Sequence, residues 1–271
     1  PDLFEEAGLK TSAINAEPDS RFPAHKPEPN EETLRELRKL VVMKKADFGA
    51  GFDGDGDRVV FIDDRGRIVS GNTILIILVE HYLKKFKGAP IVYEISCSMS
   101  VEEAIRRGGG RPVLSRVGHT YIVDWMLKEN AVFGGESSGH YYFSELYCFD
   151  DALFACLKIA EIISDRGERL SELVDSIPIY PRIPVKNYDC PDEVKFRVVN
   201  RLVEEFRELG YNVITIDGVK VVEPDGWFLI RPSNTQPQIR LTVEARTEES
   251  LEKLAKLAEE KILEGIKSVN R

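Results

Sequence analysis

From Asn72 to Asp165 short apolar runs alternate with longer stretches of helical periodicity, with polar turns between them and no internal sequence repeat. A strongly apolar helix opens with Asn72 as its cap and ends in Lys84, Lys85 and Lys87 before Gly88. PIVYEI (90–95) is predicted as a strand, and Ser100 with Glu103 forms a capping box for VEEAIRR (101–107). Strand RPVLS (111–115), loop RVGHT (116–120), helix YIVDWMLKEN (121–130), strand AVFGG (131–135), loop ESSGHYYF (136–143) and helix DDALFACLKIAEIISD (150–165) follow. Strands and helices alternating at these lengths imply a layered α/β domain.

The flanks read differently. PDLFEEAGLK is the end of a helix closed by Gly8, TSAINA (11–16) a strand, and EPDSRFPAHKPEPN (17–30) a proline-rich loop. Asn30 is placed to cap a helix with Glu31 and Glu32 in its first turn and Leu34, Leu37, Leu40 and Val41 on its apolar face. ADFGAGF (46–52) and RVVFIDD (58–64) read as strands around an acidic loop, with a turn at Arg65-Gly66. The pattern changes again near Tyr180. An extended segment leads to Pro191, a helix over 192–209 closed by Gly210, and strands NVITI, VKVVE, GWFLIR and QIRLTVEA. A terminal helix then carries Leu251, Leu254, Ala258 and Ile262 on one face. The division is an α/β region over 1–67, a second α/β domain over 68–179 and an α+β domain over 180–271.

Composition narrows the functional classes. With 271 residues and 42% apolar content the chain can bury one large core or two to three modest ones. Acidic side chains number 46 against 37 basic ones, a net charge of −9, which excludes binding of nucleic acid through bulk charge. A small phosphorylated ligand needs only a locally basic pocket and stays open. The longest apolar run, ILIILV (74–79), is too short to span a bilayer, so no membrane association is expected. Cys97, Cys148, Cys156 and Cys190 show neither CxxC nor zinc-ligand spacing and read as buried hydrophobes of a cytoplasmic protein. The chain begins without methionine, as if entering midway through an αβ unit, and is expected to be a fragment.

Four loops carry chemistry. In GFDGDGDR, Asp53, Asp55 and Asp57 place carboxylates to one side of an extended segment and repel one another unless a cation sits among them. Hard oxygen ligands select Mg²⁺ or Ca²⁺. An EF-hand is rejected: Arg58 stands at the position needing glycine, and the flanks are strands. A haloacid-dehalogenase phosphatase loop matches AGFDGD, and Cys148–Asp151 (CFDD) imitates its later acidic pair, yet Asp57 stands where Thr or Val is usual. In SRVGHT (115–120), Arg116, Gly118 and His119 can hold a phosphate or sugar oxygens beside a helix start, though a plain surface turn reads equally well. In GGESSGH (134–140), Glu136 can accept from a sugar diol and His140 can act as acid or base; a glycine-rich connector is the alternative. RPSNTQPQIR (231–240) offers Arg231, short polar side chains and Arg240 as a phosphate cradle, or else a polar turn.

Together, in this order and spacing, DGDGDR, VGHT, GGESSGH and RPSNTQP resemble the signature loops of the α-D-phosphohexomutases, the phosphomannomutase and phosphoglucomutase family. The proline-rich PDSRFPAHKPEPN resembles the family's segment before its metal loop. The resemblance implies layered α/β/α domains, the second incomplete and the third complete, followed by a C-terminal α+β domain. It implies Mg²⁺ on Asp53, Asp55 and Asp57, Arg58 beside the transferring phosphoryl group, and His140 close to the reacting oxygen. Arg116, Gly118 and His119 would line the sugar, Glu136 and Ser138 would hold its O3 and O4, and Arg231, Ser233, Asn234 and Thr235, near Arg240, would grip the non-reacting phosphate. The implied activity is that of an isomerase that interconverts hexose 1- and 6-phosphates through a phosphoserine and a hexose bisphosphate. Ser96 replaces a substrate-contacting lysine of some bacterial members, and Gln236 stands where Glu or Thr is frequent, so mannose, glucose and glucosamine phosphates all stay open. The family's T-A-S-H-N-P serine loop has no counterpart in these residues, and the fragment alone is expected to be inactive without its N-terminal domain. A Mg²⁺-dependent phosphatase and a non-catalytic sugar-phosphate-binding module are the other readings.

Overall fold

The computed structural model describes residues 1–271 except Pro18, Asn234, Asn270 and Arg271, and omits the side chains of Pro184 and Val269. In chain order its elements are α1 (Asp2–Glu6), α2 (Arg35–Lys44), β1 (Phe48–Phe52), β2 (Val59–Asp63), β3 (Ile68–Val69), α3 (Gly71–Lys85), β4 (Pro90–Glu94), α4 (Met99–Arg107) and β5 (Arg111–Ser115). Then come α5 (His119–Glu129), β6 (Phe133–Gly135), β7 (Tyr141–Phe143), β8 (Phe149–Asp150), α6 (Ala152–Arg166) and α7 (Leu170–Asp175). The last elements are β9 (Arg182–Asp189), α8 (Asp192–Glu208), β10 (Asn212–Ile214), β11 (Val219–Glu223), β12 (Gly226–Pro232), β13 (Gln238–Ala245) and α9 (Glu248–Val269). The sheets have strand orders β1-β2-β3, β5-β4-β6-β7-β8 and β10-β11-β12-β13-β9. Two compact units result, one of residues 1–92, 104–113 and 123–177, the other of 93–103, 114–122 and 178–271. Among the described residues no helix is long and apolar enough to cross a membrane.

In the first unit, β1 and β2 form an antiparallel hairpin in which Phe52 pairs with Val59, so the acidic loop is its tip. Gly49 and Gly51 face α2: a Cβ on Gly49 would stand 2.6 Å from Val41, and one on Gly51 would strike Leu34. Their missing side chains let Leu34 and Val41 pack against Ile62 and hold the hairpin against the helix. Helix α3 is buried from Thr73 to Val79 and again at Tyr82 and Leu83, as its apolar sequence requires. Tyr82 stacks on Phe133 at 4.9 Å and donates to Glu145 at 2.8 Å. The second unit packs α8 and α9 on one face of its five-stranded sheet, with Phe206, Phe228, Ala258 and Ile262 fully buried between them. Burying each large apolar side chain contributes about 1.5–3 kcal/mol. All four cysteines are buried and free.

Several local expectations change. TSAINA makes no strand: residues 11–16 are mostly exposed and pair with no described strand. Asn30 does cap, accepting from Glu32 and Thr33 N–H, but 31–34 form a turn and the α-helix begins at Arg35. Ser70, not Asn72, caps α3 by accepting from Thr73 N–H, because extended backbone at Ser70 aims its hydroxyl at the helix start. Ser98 accepts from Ser100 N–H, and Glu103 binds Tyr180 and Arg246 instead of closing a capping box. ESSGHYYF contains β7, paired antiparallel with β6, because the three aromatic residues of that strand are buried. Helix α7 is too short for periodicity to reveal; Glu172 closes it by accepting from Arg169 N–H at 2.8 Å.

Candidate functional site

The hairpin tip of the first unit holds the three aspartates with one carboxylate oxygen of each within 4.8 Å of the others. Asp53 is buried, Asp57 half-buried and Asp55 exposed. Asp53 Oδ1 accepts from Gly56 N–H at 3.1 Å and Arg58 N–H at 3.2 Å, while Oδ2 accepts from Arg58 Nε at 2.6 Å. Burial raises the pKa of Asp53, but these donors outweigh it and hold the carboxyl below its ordinary value. Arg58 also forks onto Glu28 of the proline-rich segment, at 3.0 and 3.2 Å. Asp57 goes the other way. Burial pushes it up, His140 offsets part of that, and the charges of Asp53, Asp55 and Asp150 add to the rise. The loop therefore concentrates negative charge that its own cations do not neutralise.

The segment after β6 meets that loop within the same unit. Gly139 adopts φ +100°, and its carbonyl accepts from Val59 N–H at 3.2 Å, clipping residues 136–140 to the start of β2. A Cβ on Gly139 would stand 2.6 Å from the Val59 carbonyl, so only glycine fits. Glu136 is buried; its Oε2 accepts from Ser138 Oγ at 3.1 Å and lies 3.0 Å from His140 Nδ1. Ser138 Oγ is 2.8 Å from the same nitrogen. His140 Nε2 faces Asp57 at 3.4 Å and Asp150 at 4.0 Å. Burial opposes the imidazolium, yet the Glu136 hydrogen bond and the charges of Glu136, Asp57 and Asp150 prevail, raising His140 above the usual histidine value.

The second unit carries an arginine cluster. Arg116 lies over the Tyr121 ring at 4.6 Å, and its Nη2 is 3.7 Å from Asp217 Oδ1. Gly118 has φ +128°, and its carbonyl accepts from Tyr121 N–H, so α5 begins at His119 rather than after it. Arg231 on β12 is register partner of Arg240 on β13, and its Nη1 donates to Asp217 Oδ2 at 3.4 Å. Burial, then the nearby Arg231 charge, lower Arg240 from its ordinary value. The loop between these strands is folded around one cation. Lys195 Nζ donates to the carbonyls of Ser233 (2.5 Å) and Gln236 (2.9 Å) and to Asp192 (2.5 Å). Ser233 Oγ accepts from Thr235 and Gln236 N–H at 3.4 and 3.2 Å, while Arg240 donates to Gln236 Oε1 at 3.3 Å. Asn234 lies outside the described residues.

Comparison with known proteins agrees over nearly the whole chain. Residues 1–66 match the phosphoglucomutase/phosphomannomutase alpha/beta/alpha domain II model, 70–180 the domain III model and 193–261 the C-terminal domain model. The chain belongs to the phosphoglucomutase/phosphomannomutase family. It is 34% identical to a phosphoglucomutase/phosphomannomutase of Thermococcus kodakarensis over 98% of its own length and 58% of the relative's. It is 36% identical to a probable phosphoglucosamine mutase of Pyrococcus horikoshii, over 100% of this chain and 60% of that one. A crystal structure of a family protein from Burkholderia thailandensis superposes with TM-score 0.90 at 28% identity, over 97% of this chain and 57% of that one. The chain thus spans less than two-thirds of each relative. The layered α/β architecture with an α+β C-terminal part follows the family fold.

Within this family fold, the residues named from sequence fall into two groups. Asp53, Asp55, Asp57, Arg58, Glu136, Ser138 and His140 come together in the first unit. Arg116, Gly118, His119, Arg231, Ser233, Thr235 and Arg240 lie in the second. Sequence reading missed Glu28, Asp217 and Lys195, and Asp150 entered it only as half of the phosphatase-like CFDD. Glu28 lay in a loop without periodicity, Asp217 fell between two strand runs, and Lys195 fell within the 192–209 helix without being singled out.

Proposed function

We propose that this chain is the metal-, sugar- and phosphate-binding part of a phosphohexomutase, an isomerase that interconverts hexose 1-phosphate and hexose 6-phosphate. Three parts are assigned: 1–67 with the metal loop, 68–179 with the sugar loop and 180–271 with the phosphate loop. The observation that carries the reading is the meeting of three carboxylates with His140 at the hairpin tip. An all-oxygen set of three carboxylates fits Mg²⁺. Asp53, Asp55 and Asp57 would hold the ion, which when bound supplies charge neutralisation to a phosphoryl group in transfer.

The chain's own residues do the rest. Glu136 and Ser138 fix the His140 ring through Nδ1, so proton exchange with a sugar oxygen falls to Nε2. Before a cation neutralises Asp57, the burial of His140 is outweighed by the Glu136 hydrogen bond and the surrounding carboxylates, which raise its pKa and favour the imidazolium, the form that donates. Arg58, pinned by Asp53 and Glu28, presents a fixed cation beside the carboxylates. Arg231 and Arg240 oppose the non-reacting phosphate, and Arg116 and His119 the sugar. The phosphoserine and the hexose bisphosphate of the full cycle belong to the proposal, with the serine supplied from outside these 271 residues. The substrate hexose is glucose or mannose, with glucosamine as the alternative that the relatives' names support. Four free thiols fit a cytoplasmic setting.

The phosphatase alternative needs Asp53 as nucleophile, and burial beneath three hydrogen bonds argues against it. Calorimetric titration with Mg²⁺ tests the assignment: wild type binds, and Asp55→Asn and Asp57→Asn lose the response. Equal responses would remove the metal site. Hydrolysis of p-nitrophenyl phosphate that is lost in Asp53→Asn would establish the phosphatase instead.

A further inference from the structure

Asp217 stands where the sugar loop and the phosphate loop of the second unit meet. It is 7% exposed. Its Oδ2 lies 3.4 Å from Arg231 Nη1 and also accepts from Val117 N–H at 3.4 Å, while Oδ1 is 3.7 Å from Arg116 Nη2. One carboxylate therefore reaches a guanidinium from each loop and the backbone of one. Both arginine contacts are long and single, not forked, so each guanidinium keeps donors for another acceptor. Among the described residues Asp217 is the one carboxylate paired with Arg116 and Arg231, and Arg240 adds a third positive charge beside them. Its position is fixed by backbone. Gly218 follows at φ +86°, where a Cβ would strike the Ile230 carbonyl and stand 2.9 Å from Arg231 Cα.

We propose that Asp217 is a positioning residue that holds Arg116 and Arg231 at one spacing, and so makes this site prefer a phosphate carried on a hexose over free phosphate. This rests on reading the two loops as ligand-binding. A carboxylate between two guanidiniums offsets their mutual repulsion and fixes their separation. The same charge opposes any arriving anion. A hexose phosphate that engages both loops gains from the fixed spacing, whereas inorganic phosphate on Arg231 alone feels chiefly the opposition.

The test is titration of the 271-residue chain with glucose 6-phosphate and with inorganic phosphate, by ligand-observed NMR. In Asp217→Asn, glucose 6-phosphate should bind about tenfold more weakly while inorganic phosphate binds as well or up to about threefold tighter. Asp217→Glu, which keeps the charge, should restore most of the preference. Equal weakening of both ligands in Asp217→Asn would overturn the proposal, since general loop damage does not discriminate between them. If Arg231→Ala loses binding but Asp217→Asn matches wild type, the proposal falls and the binding-loop reading stands. If Arg231→Ala binds both ligands as wild type does, the reading itself falls and takes the proposal with it. Should Asp217→Asn not fold, ¹⁵N-arginine spectra of the wild type decide. Glucose 6-phosphate should shift the Arg116 and Arg231 Nε signals with one midpoint, and inorganic phosphate Arg231 alone; Arg231 moving alone with both ligands overturns the proposal.

Discussion

The two loop clusters leave over charges of opposite sign, and each is held in place in a different way. In the first unit, Asp53, Asp55, Asp57, Glu136 and Asp150 surround Arg58 and His140, so carboxylates are in excess. In the second, Arg116, Arg231 and Arg240 share Asp217. The acidic cluster sits on a hairpin tip whose companion loop is clipped to β2 by the main-chain hydrogen bond from Val59 N–H to the Gly139 carbonyl. The basic cluster is set by side chains, through Asp217 from one side and Lys195 from the other. On the proposed assignment, a cluster for a small cation needs oxygens at fixed, short separations, which a backbone clip provides. On the same assignment, a cluster for phosphate on a sugar can instead be spaced by a charged side chain, as Asp217 spaces Arg116 and Arg231.

The sharpest way to break this contrast is Gly139→Ala. The new Cβ meets backbone, the Val59 carbonyl at 2.6 Å, at φ +100°, and neither partner can yield. Strain and clash together should cost on the order of 4 kcal/mol. Peptide-resolved hydrogen exchange should show protection lost in β2 and 136–143 and retained in β9 to β13. Protection retained throughout would mean that the clip does not hold the acidic cluster.

How these features read in sequence follows from how local they are. The acidic loop was legible because its carboxylates and the strands that aim them lie in one short stretch, Phe48–Asp63. The alternate glycines of FGAGF were equally local, although their purpose, the close approach of Leu34 and Val41, needed the helix in place. The family loops gave most of both clusters by resemblance. Asp217 was not legible, because its partner Val117 is 100 residues away and nothing near Asp217 announces it. Lys195 differs: it lies three and four residues before Val198 and Val199, on the buried face of α8, so its burial was legible from helical period, but its partners, the carbonyls of Ser233 and Gln236, were not. TSAINA failed in the opposite direction. Its composition permits an extended chain, but a strand exists only with a partner to complete its ladder.

The second unit also buries a lysine on β11. Lys220 lies over the Trp227 ring at 3.8 Å and donates to the Ile95 carbonyl at 2.7 Å. Burial lowers its pKa to about 8, although Glu94, Cys97 and Glu244 pull it back up. Below pH 8 both folded and unfolded chains hold this proton, and the folded state carries the full penalty of a buried ammonium. Between pH 8 and 10.5 the unfolded chain binds more protons than the folded one, so this group's contribution to stability rises with pH. The gain should be on the order of 3 kcal/mol. Urea unfolding of a Trp125→Phe background, which leaves Trp227 as the reporter of the second unit, should show this rise relative to the same chain with Lys220→Met. Parallel pH profiles would mean that burial does not control this lysine.

The smallest expected effect is the one that most directly compares the clusters. Gly118 in the sugar loop also has a left-handed backbone, at φ +128°, and substituting alanine there repeats the Gly139 experiment in the basic cluster. The surroundings differ. The nearest atoms to a Cβ on Gly118 are Tyr121 ring carbons at 3.4 and 3.8 Å, an ordinary contact with a side chain that can move. Only backbone strain remains, about 1 kcal/mol, and the loop can relax part of it. Tyr121 also supports the Arg116 guanidinium, so the same shift should move that cation relative to Arg231. Gly118→Ala is therefore expected to lower stability slightly, leave the calorimetric Mg²⁺ response unchanged, and weaken glucose 6-phosphate binding about threefold while sparing inorganic phosphate. A stability loss as large as that of Gly139→Ala would show that both clusters are held by backbone, and the contrast drawn from side-chain setting would be gone.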